Sequence, residues 1–488
     1  MKKIKWALIG FVAVLMMIVS NKVFASDTYT VTLNGTTTGH TYEVYQIFSG
    51  DLSNSTLSNI KWGKGVSAAG QTALGDAVAK AESLDGKATD ATEAQQFAKD
   101  VALYLQTPSA TVVSTETTTI ISGLSAGYYL IKDKEGTQNG TNDAYTRFIL
   151  EVVKNTQAKL KSDVPKIEKK VQSGDDYRDA ASYAIGESVP YQLTATLPSN
   201  YESYKEYYLS FNDSLSSGLT YNNDAKVYVV NGSTEQEITN KFTIAADGSS
   251  YVVNDLKTVS EDDRGQTVNI TKDSKIVVRY TAKLNESAVI GSTGNSNTAS
   301  LTYSNNPNST GGGSKGVTPK DKVVVFTYQV IVNKVDQDSR TPLKGAGFTL
   351  YKKDSTGVYN KVEEITAGET TTFTFKGLNV GDYKLSETVT PAGYNTIADV
   401  EFTISADVDK ASDNPILNTL EATSTSTNKL VFTSNIVDGS LTTTVVNKKG
   451  SILPSTGSVG TTMLYVMGSL LVIGAGTLLV IRKRTNAQ

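Results

Sequence analysis

The chain has 488 residues, no cysteine, one histidine (His40) and a formal net charge of −3 from 46 basic and 49 acidic side chains. Disulfide reinforcement is therefore excluded, and His40 has no histidine or cysteine companions for a metal site or a nucleophilic triad. The near-balance of charge, with no basic patch interleaved with aromatics, argues against a nucleic-acid partner, and no metal or other cofactor is expected.

In chain order, the first 25 residues read as a secretory signal. Lys2, Lys3 and Lys5 precede the apolar run Ala7 to Ser20, and Val23-Phe24-Ala25 offers small residues at a cleavage position. Residues 26–163 form a first segment that opens with alternating strands, Tyr29 to Leu33 and Tyr42 to Phe48. Ala-rich stretches follow at about Ser67 to Ser83 and Ala91 to Leu105. In the second of these, Phe97, Val101 and Tyr104 recur at helical spacing, which predicts a helix packed on a sheet. Strands resume at Gly127 to Ile131 and Arg147 to Val153.

Residues 164–320 and 321–450 read as short strands separated by Gly, Asn, Asp and Ser turns, the pattern of β-sandwiches of immunoglobulin-like size. The expected fold class is all-β, three tandem immunoglobulin-like β-sandwich domains, with helices added to the first. Asn305 to Gly316 is expected to be a flexible hairpin or interdomain loop, and Glu421 to Asn428 a polar surface loop.

Side-chain alternation singles out buried polar residues. In the third segment Val324, Phe326, Tyr328, Val330, Val332 and Lys334 share one face, as do Tyr383, Leu385 and Glu387, and Leu441, Thr443, Val445 and Asn447. An unpaired buried Lys or Glu is costly, so the three polar residues are expected to meet. Desolvation would favour a neutral amine and a protonated acid. A protonated Glu387 donating to the Asn447 carbonyl would then promote attack by Lys334, with loss of ammonia and formation of an isopeptide bond. In the second segment Ile167, Lys169 and Val171 share a face, Lys170 points the other way, and Asp213 and Asn297 lie on apolar faces of their own strands. A one-residue register error would promote Lys170 over Lys169. The opening strand of the first segment holds no lysine, so no such bond is expected there.

The stretch Glu387-Thr388-Val389-Thr390-Pro391-Ala392-Gly393-Tyr394 resembles the "ET-x-x-P-x-G-Y" box of collagen-adhesin B-type domains. The resemblance implies a bond between Lys334 and Asn447 assisted by Glu387. The second segment is similar to the second domain of backbone pilins, which implies a bond between Lys169 and Asn297 beside Asp213.

Residues 451–488 close the chain. Leu453-Pro454-Ser455-Thr456-Gly457 precedes an apolar run from Met463 to Ile481 and then Arg482-Lys483-Arg484. The run is long enough to span a bilayer core of roughly 30 Å, and the basic cluster would stay cytoplasmic. This order resembles the sorting signal of Gram-positive surface proteins, in which a sortase cleaves the Thr-Gly bond, here after Thr456. Over its whole length the chain resembles backbone (major) pilin subunits of Gram-positive sortase-assembled pili. That implies a surface fibre anchored covalently to the cell wall, built by a class C sortase and attached to peptidoglycan by a housekeeping sortase. Its partners would be neighbouring pilin subunits, minor pilins and a host surface ligand. Such a subunit is not an enzyme in the turnover sense. The lysine that accepts the next subunit lies in a Tyr-Pro-Lys-Asn motif in that family, from which this chain departs. Val164-Pro165-Lys166 keeps part of it, making Lys166 one candidate and Lys161 a second; Lys154 and Lys159 remain open. A wall-anchored monomeric adhesin binding host extracellular matrix is the competing reading.

Overall fold

The computed structural model describes residues 28–87, 91–138, 140, 143–160, 164–310, 313–426, 429–450 and 459–485. The signal segment 1–25, Lys161 and the pentapeptide Leu453 to Gly457 lie outside the described residues. Two compact units divide the chain. One runs through Val289 and adds Gly294–Phe326 and Val408–Ile416; the other comprises Ile290–Thr293, Thr327–Asp407 and the chain from Leu417 onward.

In the first unit, residues up to Leu160 build two sheets. A three-stranded sheet places Tyr29–Asn34 between Thr118–Leu124 and Thr156–Lys159, and a second is built around Thr41–Ser53 and Gly127–Asp133. Val31, Leu33, Tyr42, Val44, Tyr129 and Ile131 pack between the two sheets. The opposite face, with Tyr45, Ile47, Phe48 and Leu130, is covered by the helix Thr92–Ala102 through Phe97, Ala98 and Val101. Having a core on each side explains why five consecutive residues from Val44 to Phe48 are buried. The first Ala-rich stretch holds two helices, Ala68–Leu74 and Ala77–Leu84. Gly75 takes a left-handed φ of 86°, and the Asp76 carboxylate then caps the second helix at the Ala79 amide, 2.9 Å away.

The same unit contains a sandwich of two seven-stranded sheets, six strands in line in each and a seventh off the line, Leu219–Tyr221 on Lys275–Leu284 and Lys315–Val317 on Asn295–Ser304. One runs Asp176–Arg178, Lys166–Ser173, Ser188–Thr196, Lys275–Leu284, Lys226–Asn231 and Thr234–Glu237. The other runs Ala180–Ser182, Asp321–Phe326, Asn295–Ser304, Leu209–Leu215, Ser250–Val253 and Thr243–Ile244. Asp321–Phe326, expected to open the third domain, is thus a strand of this sandwich. It pairs antiparallel with Asn295–Ser304 and parallel with Ala180–Ser182. Val323 to Phe326 are all buried, so the alternation read through Val324 and Phe326 starts only at Tyr328. The break falls at Thr327, which sets the boundary there rather than after Lys320.

Among the described residues, parts of both expected loops are regular structure. Lys315–Val317 pairs with Asn295–Ser304 to close a hairpin, and Asn305 at its base is fully buried. The Asn305 carboxamide donates to the Gln138 carbonyl at 3.1 Å, and its backbone carbonyl accepts from the Tyr145 amide at 2.7 Å. Those bonds tie the base of the hairpin to the first segment. Residues 421–424, expected in a loop, belong to the strand Leu417–Ser424, whose outward side chains are polar.

The second unit is a sandwich of a four-stranded and a five-stranded sheet. Tyr328–Asp336 lies between Thr372–Leu378 and Ser440–Asn447, and Gly381–Val389 lies in the facing sheet between Gly347–Lys353 and Val400–Val408. Phe348 meets Phe373 edge-on, ring centroids 4.9 Å apart, across the core. The helix Val459–Thr485 follows. Its stretch Met463–Thr485 is long and apolar enough to cross a membrane.

Candidate functional site

Each sandwich holds one buried lysine beside a carboxylate and an asparagine. In the second unit, the first strand Tyr328–Asp336 and the last strand Ser440–Asn447 are parallel neighbours, Lys334 opposite Val445 and Asp336 opposite Asn447. Two residues along a strand restore the same face, so Lys334 and Asn447 both point into the core. Lys334 Nζ donates to Asn447 Oδ1 and lies 3.1 Å from Glu387 Oε1. Asn447 Nδ2 donates to the same Oε1 at 2.8 Å. The other oxygen, Oε2, accepts from the Ile397 amide at 3.0 Å, which fixes the direction in which Oε1 points. The lysine and carboxylate side chains have no solvent exposure. Burial pushes the Lys334 amine below the usual lysine range, against the opposing pull of Glu387.

One detail departs from expectation. The Asn447 carbonyl faces Lys334, and its amide nitrogen faces Glu387. In this orientation the carboxamide accepts from the Lys334 amine through Oδ1 and donates to Glu387 through Nδ2. The box around Glu387 also ties back to the first strand, since the Tyr394 hydroxyl donates to Asp336 Oδ2 at 2.6 Å. That bond and the Ser339 amide hold the Asp336 carboxyl well below the usual range.

In the first unit, Lys169 comes from Lys166–Ser173 on one sheet, and Asp213 and Asn297 from adjacent strands of the other. Asp213 pairs with Ala299 and Asn297 with Leu215, which puts the two polar residues on one face. Lys169 is fully buried, its Nζ 2.7 Å from Asp213 Oδ1. Burial lowers its affinity for a proton, opposed first by Asp213. Lys170 points away, with its amine on Asp179.

Sequence reasoning missed Tyr280, a fourth member of this cluster. Its hydroxyl accepts from Lys169 Nζ at 3.1 Å and from Asn297 Nδ2 at 2.6 Å, and donates to Asp213 Oδ2. The signal was present in alternation. Ile276, Val278, Tyr280, Ala282 and Leu284 are the buried face of Lys275–Leu284.

Other residues stand apart. Lys166 is exposed on the edge of the same strand, and Lys154 and Lys159 are exposed near the end of the first segment. His40 is buried between two carboxylates, with Nδ1 2.9 Å from Asp133 and Nε2 3.3 Å from Asp143. Among the described residues no cluster has a metal-ligand arrangement.

Comparisons with known proteins give three family matches. Residues 185–307 match "Gram-positive pilin backbone subunit 2, Cna-B-like domain", residues 328–443 match the SpaA "Prealbumin-like fold domain", and residues 445–487 match the "LPXTG cell wall anchor motif". The "Trypsin-resistant surface T6 protein" of Streptococcus pyogenes serotype M6 is 29% identical over 387 residues, covering 66% of this chain and 70% of that protein. The structure of the T6 backbone pilin from the same serotype superposes with a TM-score of 0.53 at 20% identity, covering 87% of this chain and 99% of the other. The major pilin SpaD of Corynebacterium diphtheriae gives 0.47 at 19% identity, covering 87% and 98%.

Proposed function

We propose a covalent mode of assembly for this chain, from the premise that it belongs to the Gram-positive backbone pilins. As such it is a structural subunit of a pilus and not an enzyme, and its LPXTG motif makes it a cell-wall-anchored surface protein. In our reading a class C sortase cleaves after Thr456 and joins that carbonyl to a lysine of the next subunit. A housekeeping sortase then passes the finished fibre to peptidoglycan. Minor pilins and a host surface ligand would be further partners. Within each subunit, Lys334 and Asn447, and Lys169 and Asn297, condense to isopeptide bonds assisted by Glu387 and Asp213.

The observation that carries this reading is the burial of both lysines against a carboxylate, each in one hydrogen-bonded cluster with an asparagine, in a chain of this family. Tension along a fibre would pass from strand Tyr328–Asp336 through its bond into the last strand, bypassing the fold between them. In the preceding sandwich the bypass would be incomplete. Asn297 lies two strands before the last, and Lys315–Val317 and Asp321–Phe326 follow it, held by hydrogen bonds and core burial with no covalent tie. The acceptor lysine is Lys166 or Lys161, the former being exposed three residues before Lys169.

Immunoblots of wall extracts test assembly. A high-mass ladder is expected, lost in Lys166→Ala or in Lys161→Ala. A ladder that survives in both variants removes these candidates, and a single monomeric species rejects polymerisation in favour of a wall-anchored adhesin.

A further inference from the structure

We propose that the Tyr280 hydroxyl is a catalytic residue of the Lys169–Asn297 condensation, delivering the proton that the departing amine needs. This rests on the bond-forming reading of the cluster and goes beyond the lysine, acid and asparagine assigned to it.

The two sandwiches solve one geometric problem differently. In the second unit a single carboxylate oxygen, Glu387 Oε1, reaches both the attacking nitrogen and the leaving nitrogen, at 3.1 and 2.8 Å. Asp213 is shorter by one methylene. Its Oδ1 meets Lys169 Nζ at 2.7 Å and its Oδ2 meets Tyr280, while the leaving nitrogen, Asn297 Nδ2, is met by the Tyr280 oxygen at 2.6 Å. Tyr280 therefore spans the gap between a short acid and its target.

The phenol is held for that task. Tyr280 stacks on Tyr191 with centroids 5.4 Å apart, lies 6.0 Å from Tyr251, and meets Tyr221 edge-on at 5.6 Å. It is only 3% exposed, so bulk water does not compete for its hydroxyl. The Asn297 carbonyl oxygen accepts no hydrogen bond among the described residues, which leaves the amide nitrogen as the gripped end of that side chain.

The proton path balances. One internal transfer, from Lys169 Nζ to the Tyr280 oxygen and from the Tyr280 hydroxyl to Asp213 Oδ2, turns the Lys169 ammonium and Asp213 carboxylate into a neutral amine and an acid protonated on Oδ2. Lys169 Nζ then bonds to Asn297 Cγ, and an Nζ proton passes to Asp213 Oδ1. The Oδ2 proton passes to the Tyr280 oxygen, and the Tyr280 proton passes to Nδ2 as the Cγ–Nδ2 bond breaks. Ammonia leaves, while the acid and the phenol are both restored. A positioned general acid of this kind contributes typically about 10²–10⁴-fold.

The test follows ammonia loss by intact mass after cell-free synthesis of the Ser26 to Thr456 chain, with peptide mapping to separate the two crosslinks. Tyr280→Phe should slow the Lys169–Asn297 crosslink at least about tenfold while Lys334–Asn447 forms at the wild-type rate in the same molecule. A Tyr280→Phe chain that forms both at the wild-type rate overturns the proposal. Should that variant lose its fold, site-specific 3-fluorotyrosine at 280 keeps the shape and makes the phenol more acidic. A changed crosslinking rate supports proton delivery, and an unchanged one rejects it. A wild-type chain that never forms this crosslink refutes the underlying bond instead, a result distinct from either.

Discussion

Asn447→Ala is the cleanest perturbation of the proposed bond in the second unit. Lys334 and Asn447 are 113 residues apart, and in the chain-entropy model closing a loop of that length is worth about 5 kcal/mol. The substitution removes the electrophile but keeps Lys334 3.1 Å from Glu387, so no buried charge is left unpaired. At about 3–6 °C per kcal/mol for a domain of this size, the unfolding transition of this unit should fall by about 15–30 °C. Calorimetry on the Ser26 to Thr456 fragment reads the shift. Intact mass should show two ammonia molecules missing from the wild type and one from the variant. A wild-type fragment with the full uncondensed mass, or a variant melting within a few degrees of wild type, would refute the reasoning.

Glu387→Ala leaves both reacting side chains in place yet should abolish one of the two ammonia losses, which intact mass detects. The Asn447→Ala chain also exposes the titration of Lys334. Burial lowers its folded pKa below the ordinary 10.5, so the unfolded chain binds more protons between the two values, and stability should rise with pH through that window. Denaturant melts that flatten or fall from neutral pH toward about 10 contradict this sign. For His40 the sign is reversed. Burial alone would lower its pKa, but Asp133 and Asp143 outweigh that and raise the folded pKa above 6.5, so its stabilisation is complete below about 6.5 and lost as pH rises through the raised value. As the sole histidine it gives one unambiguous NMR titration, and His40→Gln should lower the melting temperature most at about pH 5–6. Under single-molecule force the bonded sandwich holding Lys169 should release at most the stretch from Thr298 to Phe326, roughly 100 Å of contour, and a longer extension argues against the crosslink.

Much of this was legible in the chain because alternation with period two reports which face a residue occupies. Lys334, Glu387 and Asn447 could be placed inward from their own strands, and the Phe97–Val101 stripe marked a helix on a sheet. The sorting tail needs no fold at all, since length, apolarity and a basic cluster define it locally. The limits were equally physical. Val323 to Phe326 are buried without a break, so periodicity carried no sign that the strand closes one sandwich before Tyr328 opens the next. Gly75 and Asp76 cut the Ala-rich stretch by a φ and a cap that a composition reading passes over.

The amino-acid order by itself determined the all-β class, the anchoring tail and the inward lysines, because each follows from interactions within a few residues along one segment. Tertiary structure decided what those lysines face. It separated Lys169 from Lys170, set Asn297 two strands before the last of its sandwich, brought Asp133 and Asp143 to His40, and lowered Tyr280 from the opposite sheet onto Asp213. Those meetings depend on how sheets are registered and stacked across a core, and face alternation along a strand carries no record of what lies across it.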